Sequence, residues 1–216
     1  MVRLAKFTED SIIDASIEVA AHCGVAAVSI SAIAGKVGAP TGSVYHRFES
    51  RGAILARAWL RVKADFRNAV ACHWSEGNTW AAVAGFLQWC RDKPLYAKFL
   101  LQCEDCPVFN EPLSAELNAA LEAEQDALDL CFRQCLTHLQ QGRTERDSRG
   151  EMEAVLRFTL FSSPIAMIKP YLLQDLSIPA RIDDVLRASH DAVAAMATVP
   201  AITAVTATDP ASTSLH

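Results

Sequence analysis

An all-α fold is predicted for this chain of 216 residues. Three observations predict it. Apolar residues recur at three- and four-residue spacing in one segment after another, no stretch keeps a strand-like alternation, and the breaks fall at Gly, Pro or a capping residue. Hydrophobic residues make up 51% of the chain, ample for a buried core, and no internal repeat is evident.

The first helix is expected from Thr8 to Cys23, with Thr8 as cap, Glu9 and Asp10 in the positive first turn, and Ile13, Ile17 and Ala20 or Ala21 on one face. Ser29 caps a second helix, roughly Ile30–Val37, and Gly38 ends it. Pro40 opens a third, roughly Thr41–Phe48, which buries Val44 and Phe48 and leaves Thr41, Gly42, Ser43, Tyr45, His46 and Arg47 outside. Ser50 caps a fourth, which carries Arg51 in its first turn and an apolar stripe of Ile54, Ala58, Val62 and Phe66. It is expected to run past Val70 and so to join two domains.

Further on, Gly77-Asn78 breaks the chain and Thr79 can cap a helix through Cys90. A short helix, Leu95–Leu101, follows Pro94, then a loop over 103–112. Ser114 to Gln140 reads as a long amphipathic helix, and 142–150 as a polar loop. A helix from Glu151 to about Gln174 should be kinked or shortened by Pro164 and Pro170. Pro179 opens a last helix through about Ala197, and the Ala/Thr/Pro/Ser-rich 199–216 reads as a disordered tail. The expected division is 1–66, 67–198 and 199–216.

Two short helices around a Gly-containing turn make a helix-turn-helix, whose second helix can lie in a DNA major groove. The net charge of −5 opposes a nucleic-acid partner, but its distribution does not: residues 1–65 hold eight Lys/Arg against six Asp/Glu, and the remainder twelve against nineteen. Six basic residues between Lys36 and Lys63 face one acid, Glu49, while Glu9, Asp10, Asp14 and Glu18 are expected to lie apart on the first helix. That is the footprint of a module that meets phosphates at one end only.

Gly24, Ser29, Ile33-Ala34, Gly38, Tyr45 to Phe48 and Arg51, preceded by the amphipathic Ile12–Gly24, resemble the N-terminal DNA-binding domain of the TetR family of bacterial transcriptional regulators. The match covers roughly the first 65 residues. The family usually has an aromatic near Ala20, so rearranged packing is expected there. The resemblance implies that Thr41, Gly42 and Ser43 meet base edges and that Ser29, Tyr45, His46, Arg47 and Arg51 hold the DNA, mostly by phosphates. Short hydroxyls discriminate bases poorly, so DNA shape is expected to carry much of the specificity. It also implies double-stranded DNA and a second copy of the chain as partners, with a dimer contact on the last two long helices through Leu156, Ser163, Met167, Leu186, Val193 and Met196. A small-molecule effector is implied in the central helices, with Trp59, Phe66, Phe86, Trp89, Phe99, Phe132 and Phe158 as candidate lining.

The expected protein is therefore a ligand-responsive repressor with no cofactor and no catalytic or metal-ligating site. Neither a long apolar span nor a secretory leader is legible, and seven cysteines in no scaffold pattern fit a reducing cytoplasm. Cys103 and Cys106, or Cys131, Cys135 and His138 at helical spacing, offer a thiol- or metal-sensing alternative. No Gly-rich phosphate loop, nucleophile elbow or zinc-protease helix points to an enzyme.

Overall fold

The computed structural model describes residues 7–104, 111–141 and 149–198, and every regular element in it is helical. α1 (Glu9–Cys23) starts from a reciprocal capping box between Thr8 and Ser11. A short 3-10 turn, Val25–Ala27, leads to α2 (Ile30–Val37), whose Ser29 hydroxyl accepts from the Ala32 amide at 3.1 Å. α3 (Thr41–Tyr45) is short, and α4 (Arg51–Phe66) begins where the Ser50 hydroxyl accepts from the Ala53 amide at 3.1 Å.

As expected, α4 does not stop at Phe66. It passes through a π turn, Arg67–Ala71, into α5 (Cys72–Ser75). Within the π turn, the Arg67 guanidinium grips the Glu124 carboxylate of the long helix α8 (Ala115–Gln140) at 2.8 and 3.3 Å. α6 (Thr79–Asp92) is capped by Asn78, not by Thr79; the Asn78 carbonyl oxygen accepts from Ala81 at 3.0 Å and the Thr79 hydroxyl meets His190 instead. α7 (Pro94–Glu104) is longer than the pattern predicts, so Cys103 is a buried helical residue and not part of a loop.

α9 (Arg149–Arg157), a second π turn (Phe158–Ser162) and α10 (Ser163–Leu173) form one interrupted rod. Pro164 can give no hydrogen bond to the turn before it and its ring crowds that turn, so the helix widens there instead of breaking. α11 (Arg181–Thr198) begins two residues after Pro179. The proposed tail, 199–216, lies outside the described residues.

One contiguous set of buried side chains runs from Ile12 in α1 to Leu186 in α11. α1 lies against α7, α4 and α2, so the N-terminal helices are packed on the rest of the chain and not merely tethered to it. Ala20, small where the resemblance calls for an aromatic, is fully buried.

Candidate nucleic-acid interface and effector cavity

The turn between α2 and α3 is built by Gly38, whose φ of 68° is a left-handed conformation that suits glycine. The Ala39 amide donates back to the Ala34 carbonyl at 2.9 Å, closing the helix end, and Pro40 (φ −61°) sets the direction of α3. Val44 and Phe48, at 0% and 2% exposure, pin α3 to the core. That anchoring turns Thr41, Gly42, Tyr45 and His46 to solvent, with Tyr45 at 62% exposure. Ser43 and Arg47 are half-buried, and the Arg47 guanidinium donates to the Ser43 carbonyl at 2.9 Å. A side chain at Gly42 would meet no protein atom within 4 Å, so that position is open toward whatever lies outside. Ser29 is exposed beside its own helix cap.

Arg51 is placed differently from the phosphate role that the resemblance implies. Its guanidinium donates to the carbonyls of Val28 and, at 2.8 Å, Val25, tying the start of α4 to the α1–α2 connection. Two carbonyls thus hold the guanidinium fork inside the protein. The acidic residues of α1 are not apart from the basic run either. Glu18 pairs with Lys36, and Asp10 and Asp14 both pair with Arg61, the latter at 2.7 Å. Helix packing brings α1 onto α2 and α4 and neutralises part of the run, a crossing that linear spacing does not reveal.

The aromatic candidates separate into three groups. Phe66, Phe86 and Trp89 line a cavity of about 90 Å³, joined by Leu100 of α7 and by Leu160 and Phe161 of the α9–α10 rod. Phe66 meets Phe86 and Trp89 edge-on, with centroids 6.1 and 5.4 Å apart, and the Trp89 indole donates to Asp65 at 2.7 Å. Trp59 and Phe99 instead pack on each other, and Phe132 packs on Trp74 and on the cavity-lining Phe161 without lining the cavity itself. Phe158 is 46% exposed and does not line it. Ile165, Ile168 and Leu172 of α10 complete the lining, on an ordinary helical stripe that carries no mark in the sequence of facing a void.

The expected dimer residues differ in exposure. Leu156 and Leu186 are 2% and 3% exposed and belong to the internal core. Ser163, Met167 and Val193 are half-buried, and the side chain of Met196 is outside the described set. Large apolar groups that do face outward on the same helices are Val155, Phe158, Leu173 and Val185, with exposed Ser162 and Ala166 between them. A more open groove of about 360 Å³ borders this face, lined among others by His138, Met152, Val155, His190 and Val193.

Cys135 and His138 do not converge: Cys135 is fully buried, its thiol pushed up to about 11 by burial, and His138 is exposed. Cys131 is half-buried and Cys103 buried, while Cys106 lies outside the described residues. Among the described residues no group of three or more His, Cys, Asp or Glu could hold a metal ion.

Comparison with known proteins agrees with this geometry. The family model for bacterial regulatory proteins of the tetR family matches residues 12–58. No curated protein sequence matches the chain. Among solved structures, the chain is similar to a putative tetR family transcription regulator from Shewanella sp. PV-4 (16% identity, 86% of this chain and 96% of that one, TM-score 0.61). It is also similar to a TetR family regulator from Marinobacter aquaeolei VT8 (15% identity, 85% and 94%, TM-score 0.62). The regulator FadR from Bacillus subtilis, solved in complex with stearoyl-CoA, has 16% identity over 86% of this chain and 97% of its own, with a TM-score of 0.56. Residues 12–58 thus match the family model of the tetR regulatory proteins, and the described residues have the all-α fold of solved TetR-family transcription regulators.

Proposed function

We propose that this TetR-type regulator acts as a homodimer, places the two copies of α3 in successive major grooves of a palindromic operator, and is released by a small apolar effector, which makes it a repressor. The observation that carries the reading is the outward face of α3, where Thr41, Gly42, Tyr45 and His46 are exposed while Val44 and Phe48 hold the helix from behind. Thr41 and Ser43 serve base edges; Tyr45, His46 and Ser29 serve phosphates. Arg47 reaches a phosphate only by leaving the Ser43 carbonyl, and Arg51 acts chiefly as an internal brace. A single α3 of five residues offers little contact, which favours two copies on one face of the duplex.

The aromatic-lined cavity is the effector site in this reading. At about 90 Å³ it is well short of the roughly 300–1,000 Å³ usual for a ligand pocket, so a ligand must open it. That requirement supplies differential affinity: the opened conformer binds effector and holds the two α3 helices at a spacing unsuited to the operator. An acyl chain is one class the apolar lining would accept, as in the stearoyl-CoA complex of the Bacillus subtilis neighbour.

The test begins with selection of duplexes from a random pool by the pure protein, followed by release assays with fatty acyl-CoAs and aromatic compounds. A recovered palindrome and at least one releasing compound are expected. Retention of no duplex ends the DNA-binding reading; a duplex that no compound releases ends the effector reading alone. Tyr45→Ala should weaken binding to all sequences alike, by about 1 kcal/mol or fivefold per protomer, as loss of a positioning hydrogen bond requires.

A further inference from the structure

Glu111, in the segment that leads into α8, reaches across to the start of α4. Its Oε2 accepts from the Gly52 amide at 2.9 Å, and its Oε1 stands 3.8 Å from Nη1 of Arg51. The adjacent Ala53 amide is already capped by Ser50, so Glu111 satisfies a first-turn donor that would otherwise be open. The approach is tight enough that a side chain on Gly52 would push the Glu111 side chain aside by a few tenths of an ångström. A Cβ on Gly52 would stand 3.0 Å from the Glu111 Cβ and 3.1 Å from its Oε2. The contact is seated by packing beside it, where Leu117 of α8, supported by Leu113, covers Ala53 and Ala56 of α4.

We propose that Glu111 stands in for a DNA phosphate at the start of α4 and thereby sets the protein's affinity for DNA. The argument rests on the DNA-binding reading above. An open first-turn amide with a positive charge beside it is what a phosphate takes at a helix start. Both lie on the helix that follows the exposed face of α3, and in this conformation the Glu111 carboxylate holds the amide, while the guanidinium, braced by the Val25 and Val28 carbonyls, contributes only its charge. DNA and Glu111 then compete for the Gly52 amide, and the two anions repel when both are near. A purely structural brace would predict the opposite sign, since its loss would loosen α4 and weaken DNA binding.

The experiment compares full-length wild type, Glu111→Gln and Gly52→Ala on a fluorescein-labelled duplex recovered by the wild-type protein, or on a mixed-sequence duplex if none is recovered. Anisotropy is read from roughly 50 to 200 mM salt. Glu111→Gln removes the charge while keeping an acceptor; Gly52→Ala keeps the charge and pushes the carboxylate away. Both should bind about threefold to tenfold more tightly per protomer, with a log Kd against log salt slope steeper by about one per protomer. Thermal melts confirm that both variants are folded. Unchanged or weaker binding by Glu111→Gln overturns the proposal while leaving the DNA-binding reading intact. Absence of any duplex binding by wild type and both variants overturns both together. Binding by the variants alone is the strongest support.

Discussion

At the scale of single residues, the charged groups decide more than the apolar ones. Arg51 shows how a motif position can be legible while its work is not. Its place after Ser50 is readable from sequence, but its two carbonyl acceptors, Val25 and Val28, come from a connection more than twenty residues earlier. Arg51→Ala should therefore reduce stability by about 1–2 kcal/mol, read as a lower chemical-denaturation midpoint. Arg51→Lys should recover little, because an ammonium cannot span both acceptors as a fork does. A variant of unchanged stability but weaker, less salt-dependent DNA binding would restore the direct phosphate role. Lys98 is a second case. Its side chain is 4% exposed and its ammonium meets Asp175 at 2.7 Å, where the chain turns with a φ of 55°. The hydrogen bond from Lys98 holds the Asp175 carboxyl below its ordinary value. The folded pKa is depressed, so the contribution to stability is present above the unfolded value and is lost as pH falls through the folded one. The melting-temperature gap between wild type and Lys98→Met should accordingly narrow as pH drops below about 4. A gap that does not change with pH there would mean that the pair is not what stabilises this turn.

At the scale of elements, the helices were largely legible because each carries its own start signal. Ser29, Ser50 and Ser114 all accept from the amide three residues on, as their places before apolar stripes require. The two π turns were not. One has a readable cause in Pro164; for Arg67–Ala71 the residues give no breaker, and the Arg67–Glu124 grip that accompanies it is a tertiary contact. Rotation about a helix axis was the other limit. Leu156 and Phe158 are two residues apart, hence on opposite sides of the helix, and one is in the core and the other outside. Periodicity names the helix but fixes its orientation only when one face is plainly polar, and this rod is apolar on two. The turn before α3 makes the element-scale prediction. Gly38→Ala meets no steric obstacle from neighbouring side chains but must adopt a φ of 68°. It should cost about 1 kcal/mol in a thermal or urea melt and tilt α3 enough to weaken DNA binding. An Ala variant as stable as wild type would show that the turn has an alternative conformation.

At the scale of the whole molecule, the N-terminal module cannot move as an independent bead, because α1 is packed along α7 and the core is continuous from Ile12 to Leu186. In the proposed mechanism, a change in the cavity between α4, α6, α7 and the α9–α10 rod alters the pose of the α2–α3 reader through these contacts, with the far side of the molecule fixed. A twofold partner would supply that fixed side. Val155, Phe158, Leu173 and Val185 remain exposed on neighbouring helices that already carry the small residues Ser162 and Ala166, which allow helices to approach closely. Scattered apolar side chains on a surface need no explanation, but four on one pair of helices are what half of a helical bundle leaves open. Phe158→Asp is the sharpest test, since its ring is 46% exposed and contributes little to the monomer core. It should leave the thermal melt of the single chain nearly unchanged while converting the protein from dimer to monomer in sedimentation at micromolar concentration. Operator affinity should then fall by at least two orders of magnitude, because each reader must bind alone and the second loses its effective concentration. Affinity for a duplex with one half-site should change far less. A Phe158→Asp protein that stays dimeric would place the interface on another face, and one that is monomeric yet binds the full operator as wild type does would show that two coupled readers are not required.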